Sequence, residues 1–153
     1  MADIEGLNRL FKRLDELALD TRRVERPLKA AGAVVITSVE KTFQAQGRPE
    51  KWTPLSPRTL QRRRKGSGKS RRGARILIDT ARLKNSISMR LVEGPAVEVG
   101  TNVIYARRQH FGYDPAGRKG RGQTKTPARP FLVVQNEDVD KIGNIFRRHI
   151  ARR

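Results

Sequence analysis

Residues 66–75 read Gly-Ser-Gly-Lys-Ser-Arg-Arg-Gly-Ala-Arg, with no apolar side chain larger than alanine. Such a stretch cannot offset its ordering entropy by burial, so the core must be assembled from the segments that flank it. A second stretch rich in glycine and in lysine or arginine covers residues 112–127. Between and around these two stretches the hydrophobic pattern is regular enough to read.

Ile4, Leu7, Leu10, Phe11, Leu14, Leu17, Ala18 and Val24 recur every three or four residues, the period of one helix face. This spacing predicts a helix over about 4–24, with Asp3 as its N-cap. Leu28, Ala31, Val35, Val39 and Phe43 then repeat every three or four residues and predict a second helix over 27–44, with Pro27 at its first position. The run Val34-Val35-Ile36-Thr37 favours a strand, but the segment is long for a strand and contains no turn signal.

Residues 46–56 are a polar, Gly- and Pro-containing loop around the only tryptophan, Trp52. Ser56-Pro57 is a cap followed by a proline suited to a first helical turn, so a short, very basic helix is expected over 58–65. Thr80 can cap a short turn through Leu83 and Lys84. Ile87, Met89 and Leu91 alternate with polar residues, as do Val97 and Val99, and Glu93-Gly94-Pro95 lies between them. This is a β-hairpin pattern. A short helix is expected over 103–111, then an apolar run over 130–134. A last helix should open at Asn136, acidic at its start and basic at its end, with Val139, Ile142, Ile145, Phe146 and Ile150 as its buried face.

The expected architecture is a single α+β domain over 1–153, a small antiparallel sheet packed by N-terminal and C-terminal helices, with long basic loops. Its parts are a helical N-terminal portion (1–45), a loop and sheet core (46–135) and a C-terminal helix (136–153).

Charge narrows the function. Thirty-four lysines and arginines against fifteen acids give a formal charge of +19. A chain so basic meets nucleic acid, an anionic membrane surface or acidic proteins. No export signal and no membrane span are legible, so a soluble intracellular protein without a membrane partner is expected. The absence of cysteine excludes disulfides, thiolate nucleophiles and cysteine metal sites.

Chemistry has few candidate residues. Gly68-Lys69-Ser70 resembles the end of a phosphate-binding loop, but Arg63 stands where that motif needs its earlier glycine. His110 and His149 are far apart and neither has a carboxylate at ligand or triad spacing; the first reads as a packed or interface histidine, the second as a surface residue. The acids fall mostly in the first and last predicted helices, where they read as solvated faces. No catalytic, cofactor-binding or metal-binding residue is assigned, and a non-enzymatic protein without cofactors is expected.

The strongest charge feature is Arg62, Arg63, Arg64 and Lys65, continued by Lys69, Arg71, Arg72 and Arg75. Its two readings, non-specific contact with DNA phosphates and docking on an acidic protein, stay open; no aromatic interleaves residues 61–75, which argues against base reading.

Several phrases occur in a recognisable order: Trp52-Thr53-Pro54-Leu55-Ser56 with Thr59, Ile76-Leu77-Ile78-Asp79-Thr80 with Leu83 and Ser86-Ile87, Val97-Glu98-Val99-Gly100-Thr101, Tyr105-Ala106 with Gln109-His110-Phe111-Gly112, and Pro127-Ala128-Arg129-Pro130-Phe131-Leu132. The ordered set resembles the phage virion morphogenesis, or tail completion, family of Mu-like and other tailed bacteriophages. In this chain Ala81 stands where such proteins commonly carry glycine, and Gln109-His110 reverses their usual order.

The resemblance implies a structural protein of the virion at the head–tail junction, assembled in the bacterial host cytoplasm. It would be a homo-oligomeric ring, with sixfold symmetry, that finishes the tail or joins it to the head. Its partners would be further copies of itself, neck or head-connector proteins and tail tube proteins, with non-specific contact to phage DNA. The residues carried over as packing or interface positions are Trp52, Tyr105, His110, Phe111, Gly112, Arg129, Pro130 and Phe131. Trp52, Tyr105, Phe111 and Phe131 are further expected to be packing anchors at the loop bases. Loops 61–75 and 112–128 are expected to be loose in the monomer and fixed against neighbours in an assembly.

Overall fold

The computed structural model of the protein describes residues 24–65, 75–115 and 125–151. The helix expected over 4–24 and the centres of both basic loops lie outside them. Among the described residues seven elements follow in order: α1 (Glu25–Ala45), α2 (Pro57–Lys65), α3 (Arg82–Asn85), β1 (Ser88–Val92), β2 (Ala96–Gly100), α4 (Ala106–Phe111) and α5 (Asn136–Ala151). A two-stranded antiparallel sheet with helices before and after it makes the fold α+β.

Helix α1 forms where the four-residue spacing placed it but opens two residues earlier. Pro27 sits inside the first turn, where a missing N–H leaves no intrahelical bond unmade. The β-branched run is helical, and Thr37 turns its hydroxyl back to the Ala33 carbonyl (2.9 Å). The end is a Schellman closure: Gln46 takes left-handed backbone angles (φ 59°), its N–H bonds the Phe43 carbonyl (3.3 Å), and the Gly47 N–H bonds the Thr42 carbonyl (3.0 Å). Glycine or asparagine is the usual occupant. Here the Gln46 side chain accepts from the Ile76 N–H and donates to the Phe43 carbonyl, so it joins the helix end to the chain beyond the first basic loop.

The hairpin has the register Met89↔Val99 and Leu91↔Val97, so the alternating apolar residues share one face. That face meets α1 at Gly32, where a Cβ would lie 2.7 Å from the Met89 sulfur and 3.0 Å from Val97. Across the helix, Val39 and Phe43 enter a core with Trp52, Ile76, Ile78, Ala81, Leu83, Val103, Ala106 and Phe131. Ala81 is held in the left-handed region (φ 60°) immediately before α3, and the Thr80 hydroxyl accepts from the Arg82 N–H (3.4 Å). This is a conformation that favours glycine, the residue the family resemblance leads one to expect there.

Helix α5 packs on α1 through a polar staple. Asp138, three residues after Gln135, accepts from the Gln135 N–H (3.0 Å) and from the hydroxyl of Ser38 on α1; both side chains are buried. The expected face of α5 needs correction on this account. With Asp138 turned inward, Val139 is 58% and Ile150 66% exposed, while Ile142, Ile145 and Phe146 are half-buried. His149, read as a surface residue, is half-buried with its Nε2 enclosed. Asp138 itself is not on a solvated face.

Candidate assembly surface

Five of the motif residues come together around Phe43. Its ring meets Trp52 edge-on (centroids 5.5 Å apart) and Phe131 at a tilt (5.8 Å), and His110 stands edge-on to Phe131 (5.1 Å). The Trp52 indole N–H donates to the Pro130 carbonyl (2.8 Å). Arg129 is buried, and its guanidinium donates to the carbonyls of Thr53 (3.0 and 3.1 Å) and Pro54 (3.2 Å), while its own N–H bonds the Gln109 carbonyl (2.9 Å). Three distant segments are thereby fixed: the tryptophan loop, α4 and the chain entering α5.

Burial, and then the charge of Arg63, lowers the Arg129 pKa. Among the described residues its Nε and Nη2 donate to carbonyl oxygens and not to an acid. Burial also lowers the His110 pKa, favouring the neutral ring whose Nδ1 accepts from the Phe131 N–H (3.4 Å).

Tyr105 and Phe111 are not buried in this frame, which corrects their expected role as packing anchors; Phe111 touches only its outer edge, its ring edge-on to His110 (centroids 4.6 Å apart). Phe111 is 73% exposed, Tyr105 is exposed, and Ile104, which sequence reading did not single out, is 98% exposed. The inward face of α4 is taken by Ala106 and His110, which leaves Arg107 and the last residue, Phe111, turned outward, while Ile104 is exposed in the turn before the helix. The signal for Ile104 was available in the sequence: Val103 and Ile104 are adjacent, and a turn entering a helix can bury only one of them.

Gly112 ends α4 with φ 78° and ψ 176°, and a Cβ there would lie 2.8 Å from the Ala128 nitrogen. Just beyond, Tyr113 and Thr126 exchange both backbone hydrogen bonds (2.8 Å each), and Lys125 pairs with Asp114 (2.9 Å). Arg108 lies over the Tyr113 ring at 4.2 Å. The base of the second basic loop is therefore closed in hairpin fashion, whereas residues 116–124 lie outside the described residues.

The first basic run is divided by the fold. Ser56 caps α2, accepting from the Thr59 N–H (3.3 Å). Arg62 and Arg64 face solvent, and Arg75 is exposed at the far end of the loop. Arg63 turns inward, donates to the Arg75 carbonyl (2.7 Å) and pairs with Asp79 (3.7 Å), so it closes the loop base instead of presenting charge. Lys65 ends the helix, and Lys69, Arg71 and Arg72 lie outside the described residues. A pocket of about 420 Å³ beside Arg75 is lined also by Ile78, Ala81, Lys84 and Asn85. Among the described residues no group of three or more His, Asp or Glu could hold a metal ion, and no helix is long and apolar enough to cross a membrane.

The start of α5 concentrates the acids. Glu137 bonds Arg48, with Lys141 at 4.0 Å, and the hydrogen bond from Arg48 is the main reason its pKa falls. For Asp138, burial alone pushes the pKa up; hydrogen bonds from Ser38 and the Gln135 N–H, with Lys141 and Arg48 nearby, outweigh it and hold the carboxyl below its ordinary range.

A carboxyl whose folded pKa lies below its unfolded one stabilises the fold above the unfolded value, about 3.9 for Asp, and that stability is lost as pH falls through the folded value. Asp138→Asn is therefore expected to cost about 1–3 kcal/mol at neutral pH. Urea titrations at descending pH should show the gap from the unaltered chain narrowing below about pH 4. A gap that stays constant with pH would contradict the charged staple.

A model of the phage virion morphogenesis family matches residues 2–151, nearly the whole chain. No curated protein and no solved structure matches it.

Proposed function

The chain belongs to the phage virion morphogenesis family, and on that premise we propose that it is a non-enzymatic structural subunit of the head–tail neck, a tail completion or terminator-type component whose copies form a ring that finishes the tail or joins it to the head. Family membership gives the role in phage morphogenesis. The observation that carries the finer reading is a contrast: Trp52, Arg129 and Phe131 are buried, with the half-buried His110 against Phe131 and the Pro130 carbonyl bonded to Trp52, and the same frame presents Ile104 and Phe111 to solvent. Large, mostly exposed apolar side chains grouped on a rigid support suit a surface that meets a protein partner.

Positive charge fits the same role. Arg62 and Arg64 on α2 and Arg107 on α4 are exposed cations that would steer the subunit toward acidic neck, connector or tail tube surfaces. The competing reading, non-specific nucleic-acid binding by the run 61–75, uses Arg62 and Arg64 on phosphates. It predicts duplex binding with a steep salt dependence.

Disruption of the reading frame in a phage that carries it, followed by electron microscopy of the lysate, tests the proposal. Filled heads and unjoined or irregularly finished tails are expected. Intact joined particles in normal number would overturn it.

A further inference from the structure

Two exposed apolar patches lie on this one chain, one beside an exposed arginine and the other beside an exposed aspartate. The first is the outer side of α4 with the turn before it, where Ile104, Tyr105, Arg107 and Phe111 are exposed. The second is the entry to α5, where Val134 and Val139 are both about half or more exposed and Asp140 faces solvent beside Glu137. Asp138 is buried and Glu137 bonds Arg48, so Asp140 is the acid that this patch presents.

We propose that these are the two halves of one contact between copies: the Ile104–Phe111 side of one subunit seats on the Val134–Val139 side of the next. The inference rests on the ring reading above and adds the faces that would build the ring. Charge decides between the possible pairings. The first patch against its own copy would bring Arg107 and Arg108 toward the same residues of the neighbour, cation against cation at the centre of an apolar contact. The first patch against the second brings Arg107 toward Asp140 and covers apolar surface on both sides.

A contact between different patches is heterologous. Repetition by rotation closes a ring and leaves no free patch, whereas a self-complementary contact stops at a pair. The supports are suited to the task. The first patch is fixed by Gly112 and by the ring of His110 against Phe131; the second is fixed by the buried Asp138, which sets the rotation of α5 and so keeps Val139 outward.

Sedimentation velocity of the full chain and of two variants, Phe111→Asp and Val139→Arg, tests the pairing. The unaltered chain is expected to associate with rising concentration to a closed species. Each variant alone should be monomeric, with association weakened about 30-fold or more. An equimolar mixture should form dimers that grow no further, because the intact α4 side of one variant meets the intact α5 side of the other. Unchanged thermal melts would show that both variants are folded, as expected for exposed positions; Phe111→Ser and Val139→Ser provide the same comparison should either charged variant be unfolded. A mixture that stays monomeric, or a Val139 variant that assembles normally, would overturn the pairing while leaving a ring possible. An unaltered chain that stays monomeric throughout would overturn the pairing and count against the ring as well.

Discussion

Phe131→Ala is expected to lower stability by about 3–5 kcal/mol, the range for emptying the site of a buried aromatic ring. Phe131 is 2% exposed and touches two rings, those of Phe43 and His110. Its removal would leave a void beside the fully buried Phe43 and loosen the segment that carries Arg129 and Pro130. The described core comprises only ten buried apolar residues, so little can move in to fill that void. Phe111→Ala supplies the internal comparison. At 73% exposure, with one edge-on contact to the His110 ring, it should shift stability by no more than about 1 kcal/mol. Urea denaturation of both variants measures the difference, and equal losses would show that the Phe43 cluster is not the centre of the fold.

Gly112→Ala should be nearly as damaging, about 3 kcal/mol or more. Two costs combine there. The backbone angles (φ 78°, ψ 176°) belong to a region that only glycine adopts readily, a strain of about 1–3 kcal/mol for any other residue. The added methyl would also stand 2.8 Å from the Ala128 nitrogen and 3.0 Å from the Thr126 oxygen, both backbone atoms that can yield only by opening the Tyr113–Thr126 bridge. Gly94 separates the two effects. It has a similar φ of 87° in the hairpin turn, but a Cβ there meets nothing within 4 Å. Gly94→Ala should therefore cost only about 1 kcal/mol, the conformational part alone. Chemical denaturation read by tryptophan fluorescence would resolve these values, since Trp52 lies in the cluster that Gly112 helps to close.

The elements whose side-chain period was unambiguous were legible in the sequence. Alternation over residues 87–99 predicted the hairpin, and the four-residue spacing from Leu28 to Phe43 predicted α1 in spite of its β-branched run. The family resemblance, carried by ordered phrases over 52–132, agrees with a family match over 2–151. What periodicity could not show was which polar residues the fold would take inside. Asp138 looks like one of several acids at a helix start, and only the approach of Ser38, a hundred positions away in sequence, makes it a buried staple. That staple rotates α5 and exposes Val139 and Ile150, which a simple apolar face would have buried. In the basic run, Arg63 is indistinguishable by composition from Arg62 and Arg64, yet it alone pairs with Asp79 and the Arg75 carbonyl. Tyr105 and Phe111 failed as anchors for a related reason: a six-residue helix has room for one buried side, and Ala106 and His110 occupy it.

The exposed cations, the exposed apolar patches and the family membership all lead to one account, a subunit completed by its neighbours in the particle. Quantitative mass spectrometry of purified intact virions tests it most directly. The account predicts this chain in a small, fixed copy number per particle, constant between preparations and retained through high-salt washing. Virions that are infectious and contain none of it, with the chain found only in the surrounding lysate, would contradict it.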